Sequence, residues 1–87
     1  MNFIINPLIE GIPTRLFVDR VFAGEHFEQF MVKGRNRSIL LQTNRKLFRL
    51  KGLKHRKGQW KIVEGEMKNA YILEKITDAI DNYLDNQ

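Results

Sequence analysis

Apolar residues occur in short alternating or continuous runs over most of the chain and change to a helical spacing near the C-terminus. The run from 15 to 22 is rich in β-branched and aromatic residues, which is typical of a β-strand. Residues 25 to 33 and 38 to 43 predict two further strands joined by a tight hairpin, because Gly34 and Asn36 readily adopt positive φ. Residues 59 to 64 alternate and predict another strand.

The C-terminal segment predicts an amphipathic helix over residues 69–85, with Asn69 as its N-cap. One face is apolar, and the other carries Glu74, Lys75, Asp78, Asp81 and Asp85. We therefore expect an α+β fold in which a small, meander-like antiparallel sheet of about four to five strands packs against one helix. A single domain is expected over 1–87, with the strands within 1–65. The apolar face of the helix comprises Ile72, Leu73, Ile76, Ala79, Ile80, Tyr83 and Leu84.

Two segments give weaker patterns. Pro7 and Pro13 push the residues before them towards extended geometry, so the first fifteen residues are expected to be irregular or to form an edge strand. Residues 44 to 58 space their apolar positions irregularly among cations and are interpreted as a short apolar-anchored segment followed by a basic loop.

Composition limits the classes of protein to which the chain can belong. With 43% hydrophobic and 29% charged residues the chain is expected to be globular, and without cysteine it can form neither a disulfide nor a thiolate metal site. The longest apolar run, Ala70 to Leu73, is far shorter than the ~20 residues of a membrane span. We expect no secretory leader, no membrane span and a cytoplasmic location.

The distribution of charge is the main functional signal. The net charge is +5, yet no acid occurs between Gln29 and Val63, a stretch that holds eleven of the fifteen cations. Cations without compensating acids repel one another, so this basic block predicts an anionic partner, most commonly nucleic acid. Phe48 and Trp60 are individually favoured as core residues, although an exposed aromatic could stack a base. The candidate nucleic-acid-binding residues are Arg35, Arg37, Arg45, Lys46, Arg49, Lys51, Lys54, Arg56, Lys57 and Trp60.

Two other classes of function stay open. The chain could be an interaction or assembly protein that forms homo-oligomers, through sheet edges or through the acidic helix face meeting the basic loop of a second copy, or that binds an acidic partner. It could also be a small metal-dependent nuclease built on Glu64, Glu66 and Lys68, with Asp19 as a further metal ligand. A match this short arises easily by chance, and a strand end leading into a helix is the preferred interpretation.

The sequence favours a non-enzymatic protein. Ser38 is the one serine, and nothing pairs it with either histidine, His26 or His55, in a catalytic triad. We therefore predict no catalytic residue, no metal ligand and no cofactor. The order of elements, several antiparallel strands with a basic loop and then a helix, is similar in layout to single-stranded-DNA-binding domains of the transcriptional-coactivator, Whirly and PUR kinds. No motif residue is matched, so this is a likeness of architecture only, and no binding residue is carried over from it.

Overall fold

A computed structural model describes residues 1–52 and 58–86, apart from the side chain of Arg49. Seven strands and two helices follow one another along this part of the chain. Their bounds are β1 (Asn2–Ile5), β2 (Leu8–Ile9), β3 (Ile12–Pro13), β4 (Leu16–Ala23), β5 (Glu28–Lys33), β6 (Ser38–Thr43), α1 (Arg45–Leu50), β7 (Trp60–Glu64) and α2 (Ala70–Asp85).

The main sheet has five antiparallel strands in the order β1-β4-β5-β6-β7. Strands β5 and β6 pair in uninterrupted register from Glu28 opposite Thr43 to Lys33 opposite Ser38, which confirms the predicted hairpin. The small hairpin of β2 and β3 turns at Glu10 and Gly11, which both have positive φ. Two successive residues of positive φ are characteristic of the type I′ turn.

Helix α2 covers one face of the sheet. Asn69 caps it by accepting hydrogen bonds from the backbone N–H groups of Tyr71 and Ile72, at 3.0 and 3.3 Å, as the sequence predicts. Every second residue of each long strand points towards the helix, and these side chains form the core. The buried apolar residues are Phe3, Ile5, Leu16, Val18, Phe30, Val32, Ile39 and Leu41 from the sheet, with Ile76, Ile80 and Leu84 from α2. The α+β fold is thus the predicted one.

Three details refine or correct the sequence-based expectations. The apolar-anchored segment expected after β6 is a helix, α1, over residues 45 to 50, and most of the basic loop expected after it lies outside the described residues. Asp81, expected on the solvent face of α2, is only 17% exposed because it faces Arg45. Of the two alternatives expected for the chain entry, the edge strand is confirmed, because β1 pairs with β4 at the edge of the sheet. Within the described part of the chain, no helix is both long and apolar enough to cross a membrane.

Candidate nucleic-acid interface

The sheet has a helix-free face, which we call the open face. It carries the side chains that alternate with the core positions, and Ile4, Phe17 and Lys33 lie opposite one another in successive strands. Asp19 and Met31 form the next row, with Leu40 beyond them on β6. Phe17 is 53% exposed although it is a large aromatic residue in the middle of a sheet. An exposed aromatic ring on a sheet is the type of surface on which nucleic-acid bases stack.

Arg15 and Lys33 lie beside Phe17, and two further cations lie in the adjacent hairpin turn. The guanidinium carbon of Arg15 lies 5.5 Å from the ring centroid, within the range of a cation–π interaction. Lys33 is the direct cross-strand partner of Phe17, and the hairpin turn that follows it carries Arg35 and Arg37, both exposed. We call this group the hairpin-end cluster: Arg15, Phe17, Lys33, Arg35 and Arg37.

A shallow depression adjoins the cluster along β1 and β4. It has a volume of about 590 Å³, and its lining includes Phe17 and Lys33 together with Asn2 and Asp19. Asp19 is the acid nearest in register on this face, two residues along β4 from Phe17. Within residues 1–52 and 58–86, ion pairs join Arg20 to Glu28 and Arg45 to two acids of α2, so none of the cluster's four cations is ion-paired there.

The predicted cations do not all gather at one place. Arg35 and Arg37 lie at the start of β6, whereas Lys46 and Lys51 lie beyond its end, in and just after α1. Strand β6 has six residues, and a rise of about 3.3 Å per residue separates the two groups by about 20 Å. Arg49 has no described side chain, and Lys54, Arg56 and Lys57 lie outside the described residues. The first four of these cations therefore lie in two groups, one at each end of β6, so that the sheet has two basic ends.

Arg45 has a structural role that the sequence pattern did not indicate. Its Nε donates to Asp81 Oδ1 at 3.1 Å, and its Nη2 donates to Asp85, so it ties α1 to α2. Burial raises the pKa of Asp81, while the hydrogen bond from Trp60 and the charge of Arg45 act in the opposite direction. With its side chain 11% exposed, Arg45 is held in place by carboxylates and is not available as a phosphate contact.

Trp60, the aromatic member of the predicted site, belongs to the core side of the sheet. Its ring centroid lies 5.7 Å from that of Phe30, and its Nε1 donates to Asp81 Oδ2 at 3.4 Å. Phe48 is half-buried on α1. On the sheet, Phe17 is exposed beside a cation, and the sequence pattern could have indicated it: β4 has apolar residues on both parities, so one set must face away from the core. Tyr71 of α2 is also exposed, with Lys75 Nζ 5.3 Å from its ring centroid, but it lies away from the open face.

The residues of the possible nuclease site are not brought together. Asp19 lies on β4 and Glu64 on β7, with β5 and β6 between them. Three interstrand spacings of about 4.8 Å put these strands about 14 Å apart. Among the described residues, no three His, Cys, Asp or Glu side chains are grouped so that they could hold a metal ion. His26 is exposed in the turn between β4 and β5, Ser38 is exposed at the start of β6, and His55 is not described.

No protein-family model, no curated protein and no solved structure matches the chain.

Proposed function

We propose that the chain is a non-enzymatic module that binds single-stranded nucleic acid through the hairpin-end cluster. The observation that supports this most is the exposure of Phe17 beside Arg15 and Lys33 on a sheet face that α2 leaves uncovered. The cations would neutralise phosphates while a base stacks on the ring. Stacking on an aromatic side chain contributes about 1–3 kcal/mol per base and depends little on base identity, so the interaction would have low sequence specificity.

The second basic end extends this proposal. A nucleic-acid strand bound along β6 on the open face would run from Arg35 and Arg37 towards Lys46 and Lys51. Lys61 and Gln42 are cross-strand partners on the open-face parity near that second end, and Lys61 is exposed. The other cations predicted from the sequence, Arg49, Lys54, Arg56 and Lys57, follow Lys46 in the chain. We expect the second end to contribute non-specific phosphate contacts.

A salt titration tests the electrostatic part of the proposal. Four neutralised phosphates predict that log K falls with log salt with a slope of about −3, since each contributes about 0.7 for a single strand. Arg35→Ala with Arg37→Ala should make the slope shallower by about 1.4. The measurement is fluorescence anisotropy of a labelled single-stranded oligonucleotide. A lack of detectable binding at low salt to DNA or RNA, single- or double-stranded, would refute the proposal.

An aromatic substitution tests the stacking part. Phe17→Ala should weaken binding by about 1–3 kcal/mol. Phe22→Ala is a matched control, because Phe22 is also exposed on β4 but lies near its other end and stacks on Phe27, with the ring centroids 4.9 Å apart. Equal losses for the two variants would contradict the assignment of Phe17 as the stacking residue.

The exposed apolar side chains of the open face favour a second candidate function, self-association. Ile4, Phe17 and Val63 are 38%, 53% and 42% exposed, and Met31 and Leu40 lie between them. Two copies could bury these residues face to face and form a homodimer. Light scattering at several salt concentrations separates the candidates: a dimer insensitive to salt supports self-association, whereas a monomer that binds oligonucleotides supports the first proposal.

A cytoplasmic location stays a prediction, consistent with the absence of cysteine.

A further inference from the structure

A cavity of about 300 Å³ opens between the sheet and α2, at the end where the β5–β6 hairpin turns. It lies on the helix side of the sheet, opposite the open face. Val32, Ile39 and Ile76 line its inner part, and each is less than 5% exposed. Ile9 of β2 and Ile72 of α2 form side walls and are half-buried. The volume is at the lower end of the range of small-molecule sites, which spans about 300–1,000 Å³.

The mouth of this cavity is polar and carries a net positive charge. Arg35 and Arg37 from the hairpin turn line it together with Glu66, and all three residues are exposed. A wider depression adjoins the mouth, shares Arg37 and Glu66 with it, and adds Lys68. In the part of the chain that the structure describes, Arg35 and Arg37 form no ion pair. An apolar cavity below unpaired guanidinium groups is complementary to a molecule with an alkyl chain and an anionic head.

We propose that this cavity binds a free medium-chain carboxylate. Its alkyl chain would replace water among Val32, Ile39 and Ile76, and its carboxylate would lie at the mouth beside Arg35 and Arg37. A volume of about 300 Å³ equals that of about ten water molecules at about 30 Å³ each, which suits a chain of roughly eight carbons. The cavity lies on the opposite side of the sheet from Phe17, and it shares Arg35 and Arg37 with the hairpin-end cluster.

The probe is octanoate, titrated into the full chain by isothermal calorimetry. Each methylene moved from water into the cavity should tighten binding about fourfold, so octanoate should bind about 16-fold more tightly than hexanoate. Octanol has the same chain without the charge and should bind more weakly than octanoate. No saturable binding of octanoate, an affinity independent of chain length, or equal affinity for octanol would each overturn the proposal.

Two substitutions test the location. Ile72→Phe adds about the volume of one methylene inside the cavity and should reduce octanoate affinity about fourfold. Ile12→Phe is the control, because this substitution adds the same volume at a residue that is 65% exposed and does not line the cavity. A thermal melt checks that the Ile72 variant folds, and Ile9→Phe is a second way to fill the cavity if it does not. Unchanged octanoate affinity in a folded filled variant would contradict the assignment.

The charge at the mouth is tested by replacing Arg35 and Arg37 together with alanine. Octanoate should bind about threefold to tenfold more weakly, as expected for solvent-accessible ion pairs, while octanol affinity stays unchanged. Equal effects on both ligands would contradict a carboxylate site. Phe17→Ala should leave octanoate binding unaltered, so failure of the nucleic-acid proposal and failure of this one are distinguishable.

Discussion

Arg45 provides the sharpest test of how the helices are attached to each other. Arg45→Met keeps most of the apolar stem but removes the guanidinium that contacts Asp81 and Asp85. Removal of one partner from a fully buried ion pair costs about 3–5 kcal/mol, and an exposed pair contributes about 0–1 kcal/mol. Arg45 and Asp81 are 11% and 17% exposed, between these limits, whereas Asp85 is 53% exposed and adds little. We therefore expect a loss of about 2 kcal/mol.

The assays are urea denaturation and a thermal melt, each monitored by circular dichroism. A loss of about 2 kcal/mol should lower the Tm of a domain of this size by about 8–16 °C in the melt and leave the urea m-value unchanged. Lys46→Met is the matched control, because it removes a neighbouring cation of α1 and should change stability by less than about 0.5 kcal/mol. If Arg45→Met is as stable as Lys46→Met, Arg45 does not hold α1 against α2, and its assignment to the nucleic-acid surface would have to be considered again.

Three further predictions concern the core, the helix cap and pH. Ile80→Ala should cost about 2–5 kcal/mol in urea denaturation, because Ile80 has no exposed surface in the core. Asn69→Ala should cost about 1 kcal/mol in the same assay, since the cap bonds to two backbone N–H groups would be lost. Burial raises the pKa of Asp81, so the folded chain binds the Asp81 proton more tightly than the unfolded chain does. The stabilisation from this difference is fully present below the ordinary value of 3.8 and is lost as the pH rises through the raised pKa. Asp81→Asn should remove this part of the pH dependence of unfolding.

The core elements could be predicted because their signals are local. Helix α2 has a full apolar stripe and a capping residue, and the β5–β6 hairpin has two apolar runs separated by a short polar turn. The expectation that Gly34 and Asn36 adopt positive φ in this turn is wrong, since neither does. Tyr83 was assigned to the apolar face of α2 and is 37% exposed, yet its ring stacks on Phe3 with the centroids 4.0 Å apart. The periodicity therefore identified the correct face.

Helix α1 and the ion pairs of Arg45 could not be predicted in this way, because they depend on contacts distant in sequence. Arg45 and Asp81 are 36 residues apart, and only the packing of α2 on the sheet brings them together. The same applies to the candidate site. Phe17 and Lys33 become neighbours through the register of β4 and β5, so the basic block taken along the sequence includes Trp60 but not Phe17 or Arg15.

The most direct test of the proposed function is an NMR titration of the labelled chain with a short single-stranded oligonucleotide. An interface on the open face predicts the largest amide shift changes in residues 15–18 and 33–37, with small changes in the part of α2 that packs on the core. Saturable binding whose shift changes are concentrated in α1 and α2, or no shift change at low salt, would contradict an interface on the open face of the sheet.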